Sequence, residues 1–277
     1  MMSPESIFII ASKEIRDAKR NRWFVTISFL FALLALALSL LGLAGLGSFG
    51  ISGFGRTTAS LLNLVLLIVP LMGLLLGAMS VAGEREQGTL MTLLAQPVTS
   101  SEVLLGKFFG TAAALVTTIL FGFGLSGLVI SWYAGIAELG DYLILIGFTI
   151  LLGLSTLSVG FCISIFTRKN AAATGFALFF WFVFLFLSDL GLMGATLVFK
   201  FPPRFLLWLV SLNPPQAFKL AVVGALHGGF EVFGAAGRYA IDLFGDWFFA
   251  FLSSILVLWI LIPLVCALIL FRKRCAE

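Results

Sequence analysis

The segment GEREQGTLMTLLAQPVTSSEVLLGK, residues 83–107, is a polar stretch with a leucine stripe between two long apolar runs. The runs on either side, residues 59–82 and 103–132, are each long enough to cross a bilayer as a helix, which takes about 20 residues. The segment therefore connects two membrane spans on one side of the bilayer, and the chain is a multi-pass membrane protein.

The composition extends this interpretation to the whole chain. Hydrophobic residues make up 61% of its 277 residues and charged residues 11%, and the mean hydropathy is +1.14, whereas soluble domains carry about 25% charged residues. We predict one all-α integral membrane domain, residues 1–277, with six transmembrane helices. Their estimated ranges are 23–46, 59–82, 103–132, 142–166, 171–187 and 249–271.

The basic residues predict the orientation of the spans. Of the 17 Lys and Arg residues, 12 lie in the N-terminal flank, the 83–107 segment, the loop after span four and the C-terminal tail. Because cytoplasmic loops carry the excess of Lys and Arg, we predict both termini to be cytoplasmic and the protein to lie in the inner membrane. Their position at the ends of apolar runs does not indicate nucleic-acid binding.

The N-terminal residues 1–22 predict an amphipathic helix ahead of the first span. Ser3 suits the N-cap and Pro4 the first helical position. Such a helix would lie in the cytoplasmic interface of the membrane; the alternative is a basic flank that only fixes orientation. One face would carry Ile7, Ile10, Ala11, Ile15 and Ala18, and the opposite face Lys13, Arg16, Asp17 and Arg20.

No catalytic, metal-ligating or cofactor-binding residue is predicted. The interiors of the six estimated spans are expected to contain no Asp, Glu, Lys, Arg or His, unlike those of ion-driven carriers. The single histidine, His227, and the three cysteines at 162, 266 and 275 form no metal set. Gly-x-Ser fragments occur in two spans, but no histidine lies in a span to activate such a serine. The chain is therefore not expected to be an enzyme.

The spacing Gly83, four residues, Gly88, Thr89 is similar to that of a phosphate-binding loop. Such a loop needs Lys after its second glycine, and the acidic residues between the glycines would repel phosphates. ATP binding by this route is excluded.

The same segment instead predicts a short cytoplasmic helix. Glu84 and Glu86 suit a helix N-terminus, where the helix dipole favours acids, and Pro97 would stop the helix. Thr99 and Glu102 have the spacing of a capping box that opens the third span. The apolar edge consists of Leu90, Leu93 and Leu94, and it needs either its own bundle or another protein to pack against.

The segment resembles the first cytoplasmic loop of type-2 ABC exporter membrane subunits, which has an acidic E-x-E-x-G-T-L stretch, a leucine-rich helix, a proline and a Gly-Lys pair before the third span. The resemblance implies that this helix is a coupling helix in a groove of a separate cytoplasmic ATPase, which holds ATP and Mg. It also implies that residues 1–22 form the elbow helix, and 83–102 the coupling loop. By motif position the coupling residues are Glu84, Glu86, Gly88, Thr89, Leu90, Leu93, Leu94 and Pro97.

A narrower resemblance concerns KEIRDAKRNRW, residues 13–23, and SLNPPQAFKL, residues 211–220. Both are similar to the NosY-type permeases that serve maturation of the copper enzyme nitrous oxide reductase. This resemblance implies a homodimer with two ATPases and a periplasmic accessory protein, and a role in supplying copper or sulfur. The six methionines themselves form no ladder of soft ligands across the membrane.

The extracytoplasmic segment, residues 188–248, is expected to carry short outer helices between spans five and six. One would start with Asn213 as cap and Pro214 at its first position, and would end at residues 228–229. The segment is either a partner surface or a lid at the bilayer surface. The candidate partner residues are Trp208, Asn213, Pro214 and Phe218.

Span two contains the residues expected to shape a moving helix. Pro70 would free the carbonyl of Leu66 and kink the helix. Gly73 and Gly77 form a Gly-x-x-x-Gly pair that permits close helix approach; static packing is the alternative for all three residues. A kinked span joined to the coupling loop would transmit ATPase motion.

The sequence therefore predicts the permease half of an ATP-driven exporter. The alternative is a relay that uses ATPase motion to act on an outer partner without net transport.

Overall fold

The computed structural model describes residues 3–44, 53–134, 139–197, 202–226 and 245–276. All regular structure in these ranges is helical. In chain order the helices are α1 (Pro4–Arg20), α2 (Arg22–Ala44), α3 (Gly53–Glu86), α4 (Thr89–Leu94), α5 (Ser100–Ala134), α6 (Leu139–Phe166), α7 (Asn170–Phe182), α8 (Ser188–Leu197), α9 (Pro203–Ser211), α10 (Pro214–Leu226) and α11 (Phe248–Ala276). A π-helical segment (Val183–Leu187) joins α7 to α8, and a 3-10 turn (Gly245–Trp247) precedes α11.

Six helical stretches of the described residues are long and apolar enough to cross a membrane, which confirms the prediction of six spans. The second and third spans begin and end within a few residues of the estimates. The six stretches are Arg22–Gly42, Thr58–Glu86, Ser100–Trp132, Gly140–Phe166, Asn170–Gly191 and Phe248–Arg274.

The second and fourth spans cross with their backbones in contact. A Cβ atom on Gly73 of α3 would lie 2.8 Å from the carbonyl oxygen of Gly153 on α6. A Cβ atom on Gly77 would lie 2.7 Å from the backbone nitrogen of Phe161. These distances leave no room for a side chain, so glycine is what allows α3 and α6 to pack this closely. Pro70 lies inside α3, which continues past it to Glu86.

Span five extends beyond residue 187, where the sequence had placed its end. The π-helical segment occupies Val183–Leu187, and α8 then continues to Leu197. Polarity at Ser188 and Asp189 suggested an exit from the membrane, but a helix can continue through such residues when they find partners. Ser188 donates to the carbonyl oxygen of Phe184 at 2.6 Å, and the Asp189 carboxylate accepts a hydrogen bond from Gln216.

Helices α9 and α10, the short helices expected between spans five and six, form a helical hairpin that packs into the bundle. Helix α10 starts at Pro214 as predicted and contacts α6, α11 and α3. Its Phe218 is fully buried and Asn213 and Pro214 are also buried, which contradicts their assignment to an exposed partner surface. Trp208 alone of the four is exposed, with its ring 5.9 Å from that of Phe251. The predicted end of this helix at residues 228–229 lies outside the described residues.

Candidate coupling region

Glu84 and Glu86 lie in the last turn of span two and do not open the short helix, which corrects the expectation for these two residues. Helix α3 continues to Glu86, and α4 begins only at Thr89 after Gly88, whose φ of 75° is left-handed. Glycine adopts this conformation at little steric cost. The span therefore projects one turn further than the hydropathy indicates, because Glu84 has two cationic partners there, the buried Lys107 and the partly exposed Lys13.

Helix α4 turns its leucine edge toward the bundle. Leu90 is 5% exposed and belongs to the main apolar core, against which Leu93 and Leu94 also pack. Met91, in contrast, is 75% exposed. The helix ends at Leu94, three residues before Pro97, and helices usually end at or before the residue that precedes a proline. Of the two alternatives for the leucine edge, the bundle is the partner, and Met91 is the large apolar side chain that α4 presents outward.

A buried charge cluster lies behind α4 and joins three helices. It consists of Lys13 and Glu14 of α1, Glu84 of α3 and Lys107 of α5. The Lys107 ammonium lies 2.6 Å from Oε1 of Glu14 and 2.8 Å from Oε1 of Glu84, and Lys107 is only 1% exposed. The Lys13 ammonium lies 2.6 Å from the same Glu84 oxygen. Two lysines thus balance two glutamates, as buried charges require.

Lys107 lies inside the third span, which corrects the expectation that the spans contain no Asp, Glu, Lys, Arg or His. It is two turns from the start of α5, at the same end of the bundle as α4, so it does not form a charged path across the membrane. Lys13 is partly exposed at the rim of the cluster. Burial lowers the pKa of Lys13, but Glu84, Glu14 and Asp17 more than offset this and leave the pKa above its usual value.

Helix α1 packs in a groove of α5 formed by glycines. A Cβ atom on Gly106 would lie 2.7 Å from Cβ of Ile10, and one on Gly110 would lie 2.6 Å from Cβ of Glu14. The absent side chains let the two helices approach until Glu14 reaches Lys107. The buried face of α1 consists of Ile10, Glu14 and Ala18, while Phe8 and Ile9 are exposed.

The predicted capping box at Thr99 and Glu102 is present and also holds the start of α1. The Thr99 amide donates to Oε2 of Glu102 at 2.7 Å, and the Glu102 amide donates to the Thr99 hydroxyl at 3.3 Å. The other carboxylate oxygen of Glu102 accepts the backbone N–H of Ser3. One side chain therefore caps α5 and fixes α1.

Further polar contacts hold the C-terminal residues and the loop after span four at the end of the bundle where α4 lies. Arg272 donates to the Ser101 hydroxyl at 2.6 Å, and Arg274 donates to the carbonyl oxygen of Ile165. Arg85 donates to the carbonyl oxygen of Thr167 at 2.7 Å. The Glu86 carboxylate accepts the backbone N–H of Asn170 at 2.7 Å. These contacts place the segments that carry most basic residues on one face.

The buried pair of Glu14 and Lys107 was not predicted, although the sequence contains a signal for each residue. Glu14 lies four residues from Ile10 and from Ala18, so an acid interrupts the apolar face of α1. Lys107 interrupts an apolar run just after its start. An isolated acid and an isolated base on two apolar faces indicate a buried pair, because each would otherwise be costly to bury. Among the residues the structure describes, no cluster of His, Cys, Asp and Glu has the size of a metal site.

Comparison with known proteins identifies relatives over nearly the full length. Residues 8–275 match the family described as ABC-2 family transporter protein. The chain is 36% identical over 274 residues to "Probable ABC transporter permease protein NosY" of Stutzerimonas stutzeri, covering 97% of this chain and 98% of the relative. It is 35% identical over 237 residues to the protein of the same name from Pseudomonas aeruginosa, covering 83% and 85%.

Proposed function

The chain belongs to the ABC-2 family of transporter permeases, which are non-catalytic membrane subunits. We propose that it couples ATP hydrolysis on a separate ATPase to export across the cytoplasmic membrane. The ATPase subunit would hold ATP and Mg. We propose α4 and the turns flanking it, residues 87–97, as the coupling helix region that the ATPase contacts. Helix α1 would then be the elbow helix at the membrane interface.

The exposure of Met91 carries this proposal. Methionine is one of the residue types that are enriched in protein interfaces, so an exposed methionine on a short helix outside the spans is suited to contact another protein. Near Met91 in the sequence lie the exposed polar residues Gln87, Thr92 and Gln96. An apolar centre with a polar rim is the usual layout of a protein interface.

The buried charge cluster gives this contact a mechanical connection. Glu84 lies five residues before Thr89, where α4 begins, and its carboxylate is held by Lys107 and Lys13. A push on α4 would therefore move the ends of α3 and α5 together with α1. Glu84 acts here as a residue that positions the coupling region, and Glu86 does so through the start of α7.

We propose that both termini and α4 face the cytoplasm. The basic residues Arg272, Lys273 and Arg274 follow the last span at the same end of the bundle as Arg85. The tendency of cytoplasmic loops to carry an excess of Lys and Arg supports this orientation.

We propose further that two copies pair in the membrane and that Trp208 lies where an extracytoplasmic partner would bind. The phenylalanines at 176, 179 and 182 on α7 are exposed, and a second copy would cover part of this surface. On the similarity to the two proteins named NosY, we propose a cargo of copper or a sulfur species for maturation of nitrous oxide reductase.

Co-purification of the ATPase from the native membrane tests the coupling role. We expect Met91→Leu, which keeps an apolar contact, to retain the ATPase, and Met91→Asp to lose most of it. Trp132→Asp is the matched control, because Trp132 is an exposed apolar residue at the opposite end of the third span. Loss of the ATPase from Trp132→Asp alone, or its full retention by Met91→Asp, would overturn the assignment of α4.

Reconstituted vesicles separate export from a relay. The ATPase and permease together should move radioactive copper or a labelled sulfur compound in proportion to ATP hydrolysed. Hydrolysis that depends on Met91 but moves neither would favour a relay acting on an outer partner, while leaving the coupling role intact.

A further inference from the structure

A cavity of about 460 Å³ lies between spans one, two and five, at the end of the bundle where α4 lies. Helix α3 packs against both α2 and α7, and all three helices line the cavity. Along α3 the cavity extends from Leu71 to Met79, about 12 Å at the rise of an α-helix. Trp23 and Leu178 also line it and are 74% and 44% exposed, so the cavity is open at the outer side of the bundle.

The lining of this cavity is apolar along its length and polar at one end. Apart from the indole of Trp23, its polar side chains among the described residues belong to Asn21 and Thr174. Asn21 lies at the junction of α1 and α2, and Thr174 lies one turn into α7, so both are near the α4 end. An apolar pocket with a few polar groups at one end suits a molecule with an apolar tail and a polar head.

Asn21 presents an accessible hydrogen-bond donor at the polar end. Its Oδ1 accepts the backbone N–H of Trp23 at 3.1 Å and that of Phe24 at 3.3 Å, and so caps α2. These contacts fix the amide orientation, because a flipped amide would direct N–H groups at N–H groups. Nδ2 is left without a hydrogen-bond partner among the described residues. Asn21 is partly exposed and lines the cavity, so a ligand can reach this nitrogen.

Four exposed basic residues flank the same end of the cavity from two chain segments. Two of them adjoin Asn21 in the sequence, and the other two immediately precede α7. None of their side chains forms an ion pair or a hydrogen bond with another residue that the structure describes. These four, which we call the basic rim, are Arg20, Arg22, Arg168 and Lys169.

The acids close to the basic rim are already engaged. Asp17 lies 3.8 Å from the ammonium of Lys13, and the Glu86 carboxylate accepts the backbone N–H of Asn170 at 2.7 Å. Two acids therefore oppose the four bases of the rim, and Lys13 balances one of these acids. Positive charge remains in excess beside the polar end. A basic pocket between membrane helices favours an anionic lipid headgroup.

We propose that the cavity binds an anionic phospholipid from the bilayer leaflet on the α4 side. One acyl chain lies along Leu71, Leu75 and Leu178, and the phosphate accepts a hydrogen bond from Asn21 Nδ2 within the basic rim. Basic residues at the ends of spans also fix orientation, but that role needs neither a cavity nor an unpaired donor. A second copy of the chain would bring the same basic rim to the interface, and not a countercharge. The proposal is independent of the coupling role.

Nanodiscs that contain equal amounts of phosphatidylglycerol and phosphatidylcholine test selection by charge, because choline cancels the charge of its phosphate. The full-length protein, with its ATPase, is released from the nanodiscs, and retained lipid is measured by native mass spectrometry. We expect phosphatidylglycerol to be retained about five- to thirtyfold over phosphatidylcholine, which is the effect of one or two bases beside an anionic headgroup. Equal retention would overturn the proposal and leave the basic rim as an orientation signal.

Arg22→Gln with Lys169→Gln removes one base from each segment of the rim, and it should lower the preference to about a third or less. Arg204→Gln with Lys273→Gln is the matched control, because both are exposed bases on helices that do not line the cavity. Asn21→Asp keeps an oxygen that can cap α2 but replaces the donor with a carboxylate oxygen, so it should also lower the preference. An unchanged preference in the rim variant, or an equal loss in the control, would overturn the proposal.

Two further measurements separate the lipid from other occupants. Free glycerol phosphate in excess should not displace phosphatidylglycerol, because it lacks the acyl chain; displacement would identify a site for soluble anions and overturn the assignment to a lipid. Leu178→Trp, which places a larger side chain at the cavity, should lower lipid retention and leave the number of copies in the complex unchanged. A wild-type dimer without bound lipid that dissociates on Leu178→Trp would show that a second copy fills the cavity.

Discussion

Replacement of Lys107 by Met should destabilise the protein more than replacement of any other single charge in the buried cluster. Lys107 is 1% exposed and forms short ion pairs with Glu14 and Glu84. Its removal leaves these two buried carboxylates with only Lys13, whose ammonium lies 2.6 Å from Glu84 but 3.7 Å from Glu14. The cluster thus changes from neutral to a charge of −1.

Loss of one partner from a buried ion pair costs about 3–5 kcal/mol, because the remaining charge stays desolvated. Lys13 compensates in part, so we expect Lys107→Met to lower the free energy of unfolding by about 3 kcal/mol. Lys13→Met is the matched control. Lys13 has 45% of its side chain exposed, and exposed ion pairs contribute only about 0–1 kcal/mol.

Equilibrium unfolding by sodium dodecyl sulfate in mixed micelles, followed by tryptophan fluorescence, measures this difference. A triple variant, Lys107→Met with Glu14→Gln and Glu84→Gln, provides the internal test. It removes the stranded charges, whose burial without a partner is the main cost of the single substitution. The reasoning is refuted if Lys107→Met unfolds within about 1 kcal/mol of the wild type, or if the triple variant is no more stable than the single one.

Two further changes test the packing of the bundle. Gly77→Ala places a methyl group 2.7 Å from the backbone nitrogen of Phe161, so it should lower the free energy of unfolding by about 1–3 kcal/mol in the same assay. Gly124→Ala is the control and should have little effect, because a Cβ there would meet nothing within 4 Å. Equal effects of the two substitutions would contradict the close crossing of α3 and α6. Glu102→Ala removes the acceptor of the Ser3 amide and should speed hydrogen exchange at the start of α1, whereas unchanged exchange there would show that α1 does not depend on this contact.

The layout of the membrane spans could be predicted from the sequence because hydropathy and the spacing of caps are local. The capping box at Thr99 and Glu102 illustrates this, since its two hydrogen bonds lie within one turn. Helix α10 likewise starts at Pro214, because the backbone N–H that proline lacks would have no partner within the helix at this first position.

Features that depend on contacts between distant residues could not be predicted in this way. A leucine edge does not reveal which side it faces, and Leu90 proved to face the bundle while Met91 faces outward. Glu14 and Lys107 are 93 residues apart, so their pairing emerges only when α1 lies in the glycine groove of α5. Phe218 was misassigned to an outer surface because nothing in its neighbourhood indicates that the hairpin packs inward.

Photo-crosslinking from single positions of α4 tests the central claim most directly. A photoreactive amino acid is placed at Met91 or at Leu90 in the assembled complex, and the crosslinked ATPase is detected by mass spectrometry. The account predicts strong crosslinking to the ATPase from position 91, and crosslinks only within the permease from position 90, which is 5% exposed. Crosslinking to the ATPase from position 90 but not from position 91 would contradict it.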